Sequence, residues 1–173
     1  MRFPGQGLMP LILLATPAIA REFDPAALDL TALVECRAGI STYNGFALWL
    51  AEEPGAADRL GWKEQPSANP FLRQYRLPAP IHVFGRETQT IVFTATGPMA
   101  VLDGIAAPEL ARRLNVPATI STPDKFLGER VVTESAEDSG GVSLATRITL
   151  DVSTVESHPG RALAGFSYAL DVK

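Results

Sequence analysis

The residues of this chain best suited to nucleophilic, acid–base or metal chemistry are one cysteine, Cys36, and two histidines, His82 and His158. Zinc sites use clustered His and Cys ligands, whereas these three residues lie far apart in the sequence. The serine segments GFSYA and GVSLA lack the second glycine of a G-x-S-x-G nucleophile elbow. We therefore predict no catalytic, cofactor-binding or metal site, and a structural or solvent-exposed role for each histidine.

Cys36 belongs to an apolar stripe whose members follow one another at steps of three and four residues. The stripe contains Leu33, Cys36, Ile40, Tyr43, Ala47 and Leu50, and Phe46 and Trp49 widen it. This spacing predicts one amphipathic helix over residues 30–52. Asp29 is its predicted N-cap, with Asp24–Pro25 as an alternative, earlier start. Gly39 and Gly45 weaken this helix and indicate a bend or a close crossing.

The helix places Cys36 in the core, where a thiol behaves as a small hydrophobe. The alternative is a reactive thiol or an intermolecular disulfide, since an odd cysteine in an exported chain is unpaired and Arg37 is adjacent. We favour the core position because buried thiols are common and usually inert.

Two charged clusters are candidates for binding. Glu134, Glu137 and Asp138 could hold calcium through carboxylate oxygens, but they lack the alternating spacing of the known calcium loop. We interpret them as a solvated acidic loop and predict no cofactor. Arg73, Arg76 and Arg86 lie near the first predicted sheet, where they form either a patch for an anionic ligand or acidic partner, or ordinary surface charges.

An internal similarity organises the rest of the chain. ADRLGW (57–62) matches ARRLNV (111–116), FLRQYRL (71–77) matches FLGERVV (126–132), and MAVLD (99–103) matches SYALD (167–171). Gly61 and Asn115 follow a helical Leu and suit the left-handed conformation at a helix C-terminus. The pattern predicts two repeats, about 25–104 and 105–173, each a helix followed by three or four antiparallel strands. The second helix is expected near 108–114.

Strand-like alternation supports this interpretation. Ile148, Leu150 and Val152 alternate with Thr149, Asp151 and Ser153, and apolar residues recur at every second position from Ala162 to Val172. In the first half, Phe71, Tyr75 and Leu77 share one face, as do Ile91, Phe93 and Ala95. Turn residues at 78–80, 85–87, 96–98 and 158–160 separate the strands, and TESAEDSGGVS (133–143) reads as a longer loop. The predicted fold is α+β, a two-layer structure with antiparallel sheet on helices, whose uncovered sheet face is available to a partner.

The N-terminus has the features of a secretory signal peptide. Arg2 precedes the apolar stretch from Leu8 to Leu14, and Ala-Ile-Ala occupies residues 18–20. The apolar stretch is about half of the roughly 20 residues that a transmembrane helix needs. We predict cleavage after Ala20 and export to the periplasm, and we expect residues 21–173 to form one compact domain without a transmembrane segment.

Composition excludes one class of partner. Without Arg2 the chain has 14 basic and 19 acidic residues, and the difference is a net charge near −5. Nonspecific nucleic-acid binding depends on Lys and Arg neutralising phosphates. We therefore predict no nucleic-acid partner.

The order of elements resembles the tandem helix-then-sheet units of the β-lactamase-inhibitor-like fold, which occurs in exported inhibitors and outer-membrane assembly components. The paired cysteines usual in the inhibitors are absent, and no inhibitor motif can be mapped onto this sequence. NPFLRQYRLPAPIHVFG and PDKFLGERVV also resemble uncharacterised exported proteins of Gram-negative bacteria. The resemblance implies the architecture and export, and it carries over no site residue.

The sequence favours a non-enzymatic periplasmic binding or envelope-assembly protein, with a periplasmic or envelope protein as partner. The alternatives are a small-molecule or lipid carrier with a cavity between sheet and helix, and a hydrolase with distant carboxylates. An exposed strand edge would also allow a homodimer.

Overall fold

The computed structural model describes residues 23–139 and 142–172; the predicted signal peptide, residues 1–20, lies outside them. A 3₁₀ turn at Pro25–Ala27 precedes four helices: α1 (Leu30–Val34), α2 (Ile40–Glu52), α3 (Ala56–Arg59) and α4 (Ala107–Arg113). The strands are β1 (Lys63–Gln65), β2 (Arg73–Val83), β3 (Arg86–Phe93), β4 (Pro98–Leu102), β5 (Ala118–Ser121), β6 (Phe126–Ser139), β7 (Val142–Ser153) and β8 (Ala162–Val172). The predicted α+β class is confirmed.

The eight described strands form a single antiparallel sheet in the order β1-β2-β3-β4-β8-β7-β6-β5. Strands β1 to β4 and strands β5 to β8 are thus two runs of sequential neighbours, and the pairing of β4 with β8 is the one contact between them in the sheet. In this pairing Met99 lies opposite Gly165 and Leu102 lies opposite Ala162.

Small residues make this seam between β4 and β8. A Cβ atom added at Gly165 would lie 2.3 Å from the carbonyl oxygen of Pro98, and one added at Gly97 would lie 2.2 Å from that of Phe166. Ala100 and Ala164 face each other across the seam and are fully buried. Helix α1 contacts both β4 and β8 there, and the alanines leave room for its buried residues.

The main core lies between the helices and one face of the sheet. Helices contribute residues such as Leu33, Phe46 and Leu110, and the strands contribute residues such as Tyr75 and Phe166, all nearly or fully buried. Aromatic rings dominate the part next to α2, where the Phe46 ring centroid lies 5.8 Å from both the Trp62 and the Phe93 centroids.

The prediction of a single helix over residues 30–52 is wrong, because this segment forms two helices, α1 and α2. Cys36 adopts a left-handed φ of 59°, and the Arg37 N–H donates to the Ala32 carbonyl at 2.8 Å. These are the features of a helix C-terminus. Gly39 then begins α2 as its N-cap. The predicted N-cap is confirmed, since the Asp29 side chain accepts a hydrogen bond from the Ala32 N–H at 2.8 Å.

The helix ends predicted at Gly61 and Asn115 are confirmed. Both residues have positive φ, 68° and 54°. The next residues, Trp62 and Val116, are buried, and each donates its N–H at 2.8 Å to a carbonyl five residues earlier. Helix α4 also lies where the second helix was expected.

Three strand predictions differ from the structure. The segment predicted as a loop at 133–143 instead contributes to the end of the β6–β7 hairpin: residues 133–139 belong to β6 and residues 142 and 143 begin β7. Residues 133–136 of this segment are exposed, which is why their polar side chains resemble those of a loop. Turn residues Pro78 and Pro80 lie inside β2, at a register shift between Arg76 and Ile81. Phe71 is 84% exposed and precedes β2, and Ala95 lies in the turn after β3.

None of the helices in the described residues is both long enough and apolar enough to cross a membrane.

We predict that Gly165→Ala lowers the free energy of unfolding by about 3 kcal/mol, because the added methyl group overlaps the Pro98 backbone at the seam. Urea denaturation of the two proteins measures the difference. Gly45→Ala in α2 is the matched control. Its Cβ would lie 3.8 Å from Phe23, so we expect it to raise stability by roughly 0.5–1 kcal/mol. Equal effects of the two changes would contradict the close approach at the seam.

Candidate functional site

A polar groove of about 480 Å³ crosses the sheet face opposite the helices, over the first half of the sheet. Its lining comes from β1 to β3, the residue after β4 and the residue before β8. The lining residues are Gln65, Gln74, Arg76, Pro80, Glu87, Thr88, Gln89, Thr90, Asp103 and Arg161. We call it the polar groove.

The alternation of β2 places Arg76 in the groove. Tyr75 and Leu77 are buried toward the helices, so Gln74 and Arg76 point to the other side. The Arg76 guanidinium donates to the side-chain oxygen of Gln89 at 3.3 Å. Within the described residues it forms no ion pair. Arg76 is therefore a cation whose observed partner is neutral.

Asp103 and Arg161 form the other charged part of the groove. The Arg161 Nε lies 2.8 Å from Asp103 Oδ1, and Arg86 donates to the Asp103 backbone carbonyl at 3.5 Å. The charges of Asp103 and Arg161 thus balance each other. The exposed Glu87 also lines the groove.

The loop of residues 154–161 covers the sheet next to the groove. Val155 of this loop packs on a second, small apolar cluster formed by Val92, Met99, Val101 and Leu163. The sheet face that we expected to be open is therefore partly covered. Thr149 and Ser153 on the same face are also buried, at 7% and 9% exposure.

His158 fastens this loop to β2. It is 5% exposed; its Nε2 lies 2.9 Å from Gln74 Oε1 and its Nδ1 lies 3.0 Å from Ser157 Oγ. Burial lowers the pKa of His158, and the nearby Arg161 lowers it further. His158 is therefore buried rather than solvent-exposed, and its contact with Gln74 fixes one groove residue. His82 is exposed on β2, where it pairs across the strands with Glu87 of β3.

Cys36 is buried, as predicted. Its Sγ donates to the Thr149 carbonyl at 3.4 Å. Burial raises the pKa of the thiol to about 12, and Asp151 and Glu35 add to the increase while Arg130 opposes it. A thiol with this pKa is a poor nucleophile near neutral pH.

The three arginines predicted as a cluster have different surroundings. Arg76 lines the groove, whereas Arg73 is on the opposite face of β2, where its Nε lies 3.4 Å from Glu64 Oε1. Arg86 contacts the carbonyl of Asp103 from outside the lining. Gln74, Asp103 and Arg161 could not be predicted as groove residues, because their positions in the chain show no common spacing.

The acidic cluster is not a loop. Glu134 lies in β6 and pairs with Arg147 at 3.6 Å, and Glu129 pairs with the same arginine at 3.1 Å. In the part of the chain that the structure describes, no group of three or more His, Cys, Asp or Glu side chains is placed to hold a metal ion.

Comparison with protein-family models, with curated proteins and with solved structures finds no significant match.

We predict that the protein loses stability as the pH falls below about 6.5, the value near which His titrates in an unfolded chain. Because the pKa of His158 is lowered in the fold, the unfolded state takes up the proton first and is favoured. Stability is full above this pH and declines until the lower pKa of the folded state is reached. Urea denaturation at several pH values measures the decline. His158→Gln should reduce it and His82→Gln should keep it; an unchanged decline in His158→Gln would contradict the assignment.

We also predict that the Cys36 thiol of the native protein reacts slowly with a disulfide reagent at about pH 8, because burial and its raised pKa keep it protonated. Absorbance of the released thiolate measures the rate. Denaturing urea should restore the rate of an exposed cysteine. Equal rates in native and denatured protein would show that the thiol is accessible.

Proposed function

We propose that the protein is an exported periplasmic binding protein without enzymatic activity, and that its polar groove holds an acidic, extended segment of an envelope protein. The observation that carries the proposal is Arg76, a cation in a polar groove whose described hydrogen-bond partner is the neutral Gln89. A carboxylate of the partner would form a charge-assisted hydrogen bond with it.

The amides of the groove suit a peptide backbone. The Gln65 Nε2 donates to the Glu64 carbonyl at 3.3 Å, so its Oε1 remains as an acceptor. The Gln74 Oε1 accepts from His158, so its amide N–H groups remain as donors. One acceptor and one donor match the N–H and C=O groups of an extended chain. The groove is thus suited to a polypeptide that presents its backbone and an acidic side chain.

Export and the finer architecture belong to the same proposal. The charge, apolar stretch and Ala-Ile-Ala of residues 1–20 support a cleaved signal peptide and a periplasmic location. The strand order and the matching ends of α3 and α4 support a two-layer fold of two tandem helix–sheet units. In such a fold the groove would lie on the side of the sheet that the helices leave uncovered.

The chemistry of the groove favours binding over the two alternatives. Nine of its ten lining residues are polar, which suits a peptide better than a lipid. Asp103 is already engaged by Arg161 at 2.8 Å, whereas a glycosidase needs two available carboxylates that flank the scissile bond. We therefore place the carrier and hydrolase functions second.

Photocrosslinking in the envelope tests the proposal. A benzoylphenylalanine replaces Glu87 at the groove and, as the matched control, Glu52 on α2; both positions are exposed. We expect a crosslinked envelope protein from position 87 and none from position 52, with the crosslinked peptide rich in Asp or Glu. Crosslinks from position 52 alone would place the partner on the helices and overturn the proposal.

We predict that Arg76→Gln weakens binding of the crosslinked partner at least about tenfold, because it removes a charge-assisted hydrogen bond. Isothermal titration calorimetry with the purified partner measures the change. Arg73→Gln is the control: it removes an arginine three positions earlier on the opposite face, and affinity should stay unchanged. Equal losses in the two variants would contradict the role of the groove.

A further inference from the structure

A small cleft of about 100 Å³ lies on the other face of the sheet, between α2 and strands β2 and β3. The lining is mostly apolar and aromatic. Its residues are Tyr43, Ala47, Leu50, Arg73, Tyr75 and Phe93. None of these residues lines the polar groove.

The buried hydroxyl of Tyr75 marks this cleft as unusual. Tyr75 is 0% exposed, and its hydroxyl has no hydrogen-bond partner among the described residues. Burial raises the pKa of this hydroxyl, so it stays a protonated donor. The ring is held by neighbours: its centroid lies 5.6 Å from that of Trp62 and 5.8 Å from that of Phe93. Since a buried donor without a partner is costly, the position favours an acceptor supplied from outside.

Arg73 supplies a positive charge beside the Tyr75 ring. Its Cζ lies 5.5 Å from the centroid of the Tyr75 ring. The ion pair of Arg73 with Glu64 is long, at 3.4 Å, and more than half of each side chain is exposed. Surface pairs of this kind contribute little, so the guanidinium is available to a second anion.

We propose that this cleft binds a short aliphatic carboxylate. The carboxylate accepts hydrogen bonds from the Tyr75 hydroxyl and the Arg73 guanidinium, and the alkyl chain packs against Ala47 and Leu50 of α2. The volume sets the size of the ligand, because at about 30 Å³ per water it equals roughly three waters. Acids of about two to four carbon atoms fit this space. The inference does not rest on the proposed function, since the two sites share no lining residue.

NMR titration of the ¹⁵N-labelled protein with sodium acetate, propanoate, butanoate and hexanoate tests the proposal. We expect saturable shifts at the amides of Ala47, Arg73 and Tyr75. Affinity should rise about fourfold for each methylene added up to butanoate, from the transfer free energy of a buried CH₂. It should not rise further for hexanoate, which exceeds the cleft. Butan-1-ol, which lacks the charge, should bind more weakly than butanoate.

Two variants separate binding from folding. Tyr75→Phe removes the hydroxyl and keeps the ring, and it should fold at least as stably while binding butanoate at least about tenfold more weakly. Ala47→Leu should fill the cleft and abolish the shifts. Arg76→Gln, on the other face, should leave butanoate binding unchanged. The proposal is overturned if the shifts do not saturate, if they lie elsewhere, or if Tyr75→Phe binds butanoate as tightly as the native protein.

Discussion

The close approach of β4 and β8 is the constraint on which the rest of the structure depends. Gly97 and Gly165 allow backbones to meet where a side chain would collide, and Ala100 and Ala164 keep the seam thin beneath α1. Two runs of four strands thereby become one sheet of eight. Along β2, residues that pack with the helices in the main core alternate with residues that line the polar groove. Both candidate binding sites follow from this alternation.

Strand β2 contributes side chains to both faces of the sheet. Tyr75 of β2 points into the aromatic core, whereas Gln74 and Arg76 on either side of it point into the polar groove. Period-two alternation thus places Tyr75, which lines the cleft, directly next to Arg76, which lines the groove. The groove also draws on the second half of the chain, because His158 and Arg161 of the loop at 154–161 reach Gln74 and Asp103. A binding surface over β1 to β3 therefore requires both halves.

Local rules predicted much of the fold from the sequence. Gly61 and Asn115 identified two helix ends, and Ile148, Leu150 and Val152 identified a buried strand face. The break at Cys36 was not predicted, because the apolar residues keep a spacing of three and four positions across the interruption between α1 and α2. The end of the β6–β7 hairpin, which includes residues 133–139 of β6, was not predicted because its polar residues resemble a loop. Arg76 was named as a candidate, but its groove was not predicted, since Asp103 and Arg161 join it through strand pairing.

The loop that His158 fastens has a consequence for cooperativity. The hydrogen bond between His158 and Gln74 and the ion pair between Arg161 and Asp103 connect residues from opposite halves of the chain. The hydrogen bond from the Cys36 thiol to the Thr149 carbonyl also connects the two halves. Opening either half would break these bonds together with the seam. The two halves should therefore unfold as a single unit, in one transition, despite the similarity that suggests two modules.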